Sequence, residues 1–158
     1  MPYSGPARIL VHDFKYNRGT WLVADLADIL EGAARAAFDV RQIDLVAPVP
    51  LHPAKFVLRS YNQSALLAGE LARRLKVDFM PSLMARTRDT RTQTHLNPEK
   101  RAQNIRNVFR VAFPEQARSR TVLVIDDVMT TGATLGEISR VLKAAGAWRV
   151  WTLSLCRA

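Results

Sequence analysis

Cysteine is almost absent from this sequence. Cys156 stands alone among 158 residues, which excludes a disulfide framework or a cysteine-built zinc cluster within one chain. His12, His52 and His95 are scattered and lack the spacing of metal ligands. No apolar run reaches the length of a membrane span, and the first residues lack the apolar core of a secretory signal. The expectation is a cytoplasmic protein with no membrane span. Asn62-Gln63-Ser64 matches a glycosylation acceptor, but without a secretory signal the match is chance. Neither G-x-x-x-x-G-K-[ST] nor G-x-G-x-x-G occurs, which argues against P-loop nucleotide hydrolysis and against a dinucleotide-binding fold. Internal repeats and low-complexity tracts are missing as well.

Acidic residues are in deficit: 14 against 23 Lys and Arg, a formal net charge of +9. Such a balance suits an anionic partner, whether a polyphosphate, a nucleic acid or an acidic surface; the plainer reading is solubility. Basic residues crowd one segment, where Arg86, Arg88, Arg91, Lys100, Arg101, Arg106 and Arg110 face only Asp89 and Glu99.

What the sequence does have is core material. Apolar residues make up 48% of it, enough for one domain of this length to bury a core. Strand-like runs alternate with helical periodicity. A first helix or arm spans Ala7 to Tyr16. Trp21, Leu22, Ala24, Leu26, Ala27, Ile29 and Leu30 form the apolar face of a second helix. Ile43 to Ala47 reads as the first core strand, stopped by Pro48-Val49-Pro50. Asn62 is placed to cap a helix with apolar positions Leu66, Leu67, Leu71 and Leu75. Phe79 to Met84 is a weaker strand. Residues 87–98 are polar and aperiodic, a long loop of the kind that often binds ligand. A helix from Glu99 to about Arg106 and a short strand ending near Phe113 follow. Val122 to Ile125 is the clearest strand. The next helix turns Leu135, Ile138, Leu142 and Ala145 to one side and stops at Gly146. Val150 to Leu155 closes the chain. Alternation of this kind predicts an α/β fold with a mostly parallel central sheet flanked by helices.

The most informative stretch is V-L-V-I-D-D-V-M-T-T-G-A-T, residues 122–134. A buried strand delivers Asp126 and Asp127 to its C-terminal end. Thr130, Thr131, Gly132, Ala133 and Thr134 then open a helix. Backbone N–H groups at a helix start, helped by the helix dipole, suit a phosphate. Two carboxylates repel a second phosphate at close range and suit hydroxyls or a metal ion. Hydroxyls beside a phosphate describe a ribose phosphate. In parallel sheets ligands sit at the carboxyl ends of strands, so the Pro48 turn and the Asp126-Asp127 loop can face one cleft.

This segment resembles the phosphoribosyl-pyrophosphate (PRPP) binding motif of type I phosphoribosyltransferases. The wider chain is similar to the ComF family, phosphoribosyltransferase-like proteins associated with DNA uptake in natural competence. The similarity runs through Phe14-Lys15-Tyr16 with Gly19, Pro48-Val49-Pro50-Leu51 and Arg59-Ser60-Tyr61-Asn62-Gln63-Ser64. It continues through Arg88, Thr90, Gln93, Leu96, Arg101, Asn104 and Phe109 to the PRPP loop. The resemblance implies a type I phosphoribosyltransferase-like fold in one domain over residues 1–158. Residues 1–40 would be a helical hood and 41–158 the PRPP-binding core. Asp126 and Asp127 would hold the ribose hydroxyls and Thr130 to Thr134 the 5-phosphate. The Ala47-Pro48-Val49-Pro50 turn, often strained or cis in the superfamily, would face the pyrophosphate, with Lys55 and Arg59 just beyond it. Arg88 would join Asp126 and Asp127 in catalysis, and Gln93 and Arg101 would belong to the mobile catalytic loop. Mg²⁺ would arrive with PRPP rather than on a dedicated protein site.

Two departures stand out. Family members often begin with a cysteine-rich zinc module, and this sequence has none. Where the family usually has R-G-F-N-Q, Ser60 and Tyr61 stand here, so the turn is expected to differ, because serine lacks glycine's freedom at positive φ. The expected activity is Mg²⁺-dependent phosphoribosyl transfer from PRPP to an acceptor, serving DNA uptake or nucleotide salvage. The alternative is a non-catalytic PRPP sensor that binds single-stranded DNA through the Arg-rich segment and its aromatics. Oligomeric state stays open, a homodimer included.

Overall fold

The structure is a computed structural model and describes residues 1–16, 19–88 and 104–158. Its centre is a four-stranded parallel sheet in the order β2-β1-β5-β6. The strands are β1 (Leu45–Pro48), β2 (Asp78–Phe79), β5 (Thr121–Met129) and β6 (Arg149–Arg157). β1 pairs with β2 on one side and β5 on the other, with Leu45 opposite Asp78 and Val122. All four residues of β1 are buried, as a strand covered on both faces requires. β3 (Met84–Arg86) and β4 (Phe109–Val111) form a separate antiparallel ribbon. The single strand expected over Phe79–Met84 is therefore two, split by the turn at Pro81 and Ser82.

Helices cover both faces. On one, α1 (Gly5–Tyr16), α2 (Val23–Ala37) and α4 (Gln63–Leu75) pack Val11, Phe14, Leu26, Leu30, Leu67 and Leu71 against Leu123 and Ile125. On the other, α6 (Ala133–Ala144) packs Leu135, Ile138 and Leu142 against Val122 and Val124. The alternation of inward residues along β5 sends successive side chains into the two clusters. The helix α3 (Pro53–Arg59) is just under two turns long and α5 (Pro114–Ala117) about one. Trp21 and Ile29, expected on the apolar face of α2, are exposed instead. Leu22, Leu26, Ala27, Leu30 and Ala34 make the buried stripe, because Trp21 and Ile29 fall off the side that meets α4 and the sheet.

The helix ends follow local chemistry. Asn62 caps α4: its side-chain oxygen accepts from Ser64 N–H at 3.1 Å. Lys76 ends α4 in the left-handed conformation, φ 57°. Gly146, with φ 95°, occupies the stop expected after α6, where a positive φ costs glycine nothing.

Chain order fixes where a ligand can sit. From β1 the chain moves outward to β2; from β5 it moves the other way to β6. The connections therefore diverge between β1 and β5. A crevice opens at the carboxyl ends of those two strands, the place where open α/β sheets bind ligands.

Candidate active site at the carboxyl ends of β1 and β5

Both segments singled out in the sequence border this crevice. The Pro48-Val49-Pro50 turn leaves β1, and its geometry is set by two anchors. Val49 N–H donates to Ile125 O at 2.9 Å, and the Asn62 side-chain amide donates to Val49 O at 3.0 Å. No peptide bond is cis among the described residues, so the cis alternative implied for this turn is not met.

Asp126 and Asp127 stand within β5, not beyond its end. The sequence suggested a strand stopping at Ile125, but β6 continues to pair with β5 as far as Met129 opposite Arg157. A partner strand satisfies the backbone there, so the ladder carries through the acids. Each carboxylate folds onto the main chain: Asp127 N–H donates to Asp126 Oδ1 at 2.9 Å, and Val128 N–H to Asp127 Oδ1 at 2.7 Å. Asp126 Oδ1 also accepts from the Ser64 hydroxyl at 3.3 Å. Packing changes phase at the acids. Leu123 and Ile125 belong to the cluster under α4 and Val124 to the one under α6, whereas past the acids Val128 joins the first and Met129 the second.

Thr130, Thr131 and Gly132 form the turn into α6. Gly132 takes φ 77° as the cap, and Ala133 N–H points to the Thr131 hydroxyl at 3.4 Å. Asp126, Thr130, Gly132, Ala133 and Thr134 line a small polar cavity of about 30 Å³. A helix start with a glycine cap and a hydroxyl-rich approach suits an anion. A larger cavity of about 320 Å³ is bounded by Pro50, Phe56, Asn62, Met84 and Arg86.

Lys55 and Arg59 were expected just beyond the Pro48 turn, within reach of the pyrophosphate. Their backbone belongs to α3, which starts on Pro53 after His52, whose ring nitrogen accepts from Ala54 N–H at 3.3 Å. Proline in the first turn and a capping side chain favour a helix start here. The side chains of Lys55 and Arg59 lie outside what the structure describes. Ser60 ends α3 at φ 65°, so the glycine-like conformation is kept although a serine occupies the position. Tyr61 turns its hydroxyl to Phe14 O at 2.5 Å, tying this turn to α1.

The ribbon β3–β4 carries the two ends of the long polar segment. Gln93 and Arg101 lie outside the described residues, as does most of the helix expected from Glu99. Arg88 is exposed, and its guanidinium donates to Arg106 O at 2.8 Å, linking the two arms. Arg86 lies over the Phe109 ring, 5.6 Å from its centroid. Sequence reasoning missed Glu137. It is buried on α6 and accepts from Asn107 N–H at 2.8 Å and from Arg140 at 2.7 and 2.8 Å. The Arg140 guanidinium, and after it the Asn107 N–H, holds its carboxyl below the usual glutamate range against the opposing effect of burial. Ser64 was missed too. It lay in plain view beside Asn62, but nothing local indicates its partner 62 positions away.

A parallel sheet with this divergence, acids on one strand and a phosphate-suited helix start after it, defines the phosphoribosyltransferase-like class. Adenine phosphoribosyltransferase superposes with a TM-score of 0.59 at 16% identity, over 90% of this chain and 74% of that one. The Saccharomyces cerevisiae enzyme of the same name gives 0.56 at 16% identity, over 90% and 72%. The chain belongs to the phosphoribosyl transferase domain family, which matches residues 61–158, and within it to the ComF-type proteins. Competence protein F of Haemophilus influenzae is 36% identical over 160 residues, 99% of this chain and 70% of that protein. DNA utilization protein YhgH of Escherichia coli K12 is 34% identical over 158 residues, 98% and 69% respectively. No described helix is long and apolar enough to cross a membrane.

Proposed function

We propose that the β1/β5 crevice binds PRPP and transfers its phosphoribosyl group to an acceptor. The observation that carries this reading is the placement of Asp126 and the Thr130–Thr134 turn directly across the divergence point from the Pro48 turn. In this reading Thr130 to Thr134 take the 5-phosphate, and Asp126 and Asp127 take the ribose 2- and 3-hydroxyls. The Pro48–Pro50 turn, with Lys55 and Arg59, takes the pyrophosphate. Arg88, Gln93 and Arg101 belong to the segment that would cover the reacting centre.

The reaction is a displacement at C1 of the ribose. The C1–O bond to pyrophosphate breaks and the leaving group takes the electron pair. A bond forms from C1 to the acceptor's nucleophilic atom, which gives up its proton to solvent or a base. The chain's task is to fix the ribose, neutralise the leaving group and keep water from competing. Asp126 and Asp127 already accept main-chain N–H bonds, so their orientation is set before ligand enters. Two anchored carboxylates beside a phosphate cradle fit Mg²⁺ that comes in on phosphate oxygens, as this ion prefers. When bound it would supply charge neutralisation of the departing pyrophosphate.

Calorimetric titration with PRPP and MgCl₂ tests the site. Asp126→Asn combined with Asp127→Asn is expected to abolish binding, and unchanged affinity would overturn the assignment. Pyrophosphate release across a panel of acceptors tests turnover separately.

The names of the relatives and the net charge of +9 support a second reading: a PRPP-sensing protein that binds single-stranded DNA, in DNA uptake or use. Affinity for a single-stranded oligonucleotide should then fall steeply with added salt. Absent or salt-independent binding removes this reading.

A further inference from the structure

The first turn of α4 touches both halves of the crevice. Asn62 donates to Val49 O at 3.0 Å, holding the turn after β1. Ser64 N–H donates to Asn62 Oδ1 at 3.1 Å, and the Ser64 hydroxyl donates to Asp126 Oδ1 at 3.3 Å. Val49 N–H donates to Ile125 O at 2.9 Å. The bonds form a closed circuit: from β5 at Ile125 to the Pro48 turn, on to the cap of α4, and back to β5 at Asp126. Ser64 is 5% exposed, so its hydroxyl is held where few other partners compete.

The circuit sets more than distance. Asp126 Oδ1 receives two donors, the Ser64 hydroxyl and Asp127 N–H. Two bonds to one oxygen fix the rotation of the carboxylate plane, and with it the direction of Oδ2. The Ser64 bond is part-buried and, at 3.3 Å, longer than the usual hydroxyl bond, so its role is to orient the carboxylate. A rigid acceptor geometry matters where a sugar hydroxyl must be met at a defined angle.

We infer that Ser64 is a positioning residue for the ribose end of the ligand and Asn62 for its pyrophosphate end, so that one helix start sets the spacing between the two. This deepens the PRPP reading of the crevice and rests on it. Ser64 touches no reacting atom; it acts through Asp126. Asn62 acts through the backbone of Val49.

The test separates the two ends with three probes in the presence of MgCl₂: PRPP, ribose 5-phosphate and inorganic pyrophosphate, titrated calorimetrically into the full chain. Ser64→Ala retains its backbone N–H to Asn62 and removes only the hydroxyl. It is expected to weaken ribose 5-phosphate and PRPP about ten-fold and leave pyrophosphate unchanged. Ser64→Cys keeps the volume with a poor donor and should behave as Ala does, which covers the case where Ala misfolds. Asn62→Ala should show the reverse split, losing pyrophosphate and PRPP affinity while ribose 5-phosphate is affected less. Equal loss of all three probes in the Ser64 variants would indicate a general structural role and overturn the inference. Wild-type affinity for all three in Ser64→Ala would overturn it as well. If the wild-type chain binds none of the probes, the PRPP reading itself fails and takes the inference with it.

Discussion

The backbone N–H of Asn107 donates to the buried carboxylate of Glu137 at 2.8 Å, joining the descending arm of the ribbon to α6. Arg140 completes the clasp, giving two bonds to Glu137 and one of 3.3 Å to the Asn107 side chain. Asn107 holds φ 59° there, a conformation that asparagine tolerates better than most residues. The helix that begins at the phosphate-suited turn thus also fixes one end of the segment expected to close over the ligand.

Removal of that carboxylate should be felt in stability, with a definite pH dependence. Glu137→Gln is expected to lose about 2 kcal/mol at neutral pH, as for a hydrogen-bonded buried charge. The native carboxyl is held below its unfolded value. Its contribution is therefore present above the unfolded pKa and fades as pH falls through the native one. Urea melts of both proteins from pH 7 down to pH 3 should converge towards the acid end. A gap that stays constant with pH would contradict the charged role.

Glu70 offers a second titration test. Its carboxyl is pushed down to about 2, first by the Arg73 guanidinium and then by Arg74. All three bonds are short, 2.9 and 2.7 Å from Arg73 and 2.8 Å from Arg74. Carboxyl carbon shifts followed by NMR should show Glu70 still ionised at pH 3. Arg73→Ala should move its midpoint upward.

Ser60 ends α3 at φ 65°, where a side chain is costly and glycine is not. Ser60→Gly is expected to raise stability by about 0.5–1 kcal/mol, the steric relief exceeding glycine's added freedom in the unfolded chain. A urea denaturation midpoint would show it. No gain would mean that the Ser60 side chain makes a compensating contact.

Gly132 is the opposite case. A β-carbon there would meet the Met129 sulfur at 3.8 Å, ordinary contact distance, while φ stays at 77°. The penalty of Gly132→Ala is therefore conformational, about 1–2 kcal/mol. If the turn relaxes to relieve it, ribose 5-phosphate affinity should fall with stability. Thermal melts and calorimetry on the same variant would separate the two effects.

Much of this was visible in one dimension. The apolar run Val122–Ile125 specifies a buried strand because four consecutive apolar residues need cover on both faces. Asn62 announces a helix cap because its side chain can reach the N–H two residues on. Asp126, Asp127 and the Thr130–Thr134 turn were legible because all their determinants lie within thirteen consecutive residues. Local chemistry misled at several places. The strand was expected to stop before the acids, but β6 pairs with it past them. Phe79 to Met84 was expected as one strand, but the turn at Pro81 and Ser82 splits it into β2 and β3. Trp21 and Ile29 have the hydrophobicity of a core face but not the direction of one.

The sequence by itself determined the parallel α/β class, the capped helix starts and the acid-threonine-glycine motif, since these depend on periodicity and on contacts within a few residues. Only the tertiary structure decided which groups meet. Ser64 and Asp126 are 62 positions apart and Asn107 and Glu137 are 30. The strand order β2-β1-β5-β6 is what brings the Pro48 turn beside the acids. No local preference encodes such meetings: they arise when two buried faces pack on one sheet and the polar groups left at its edge must find partners.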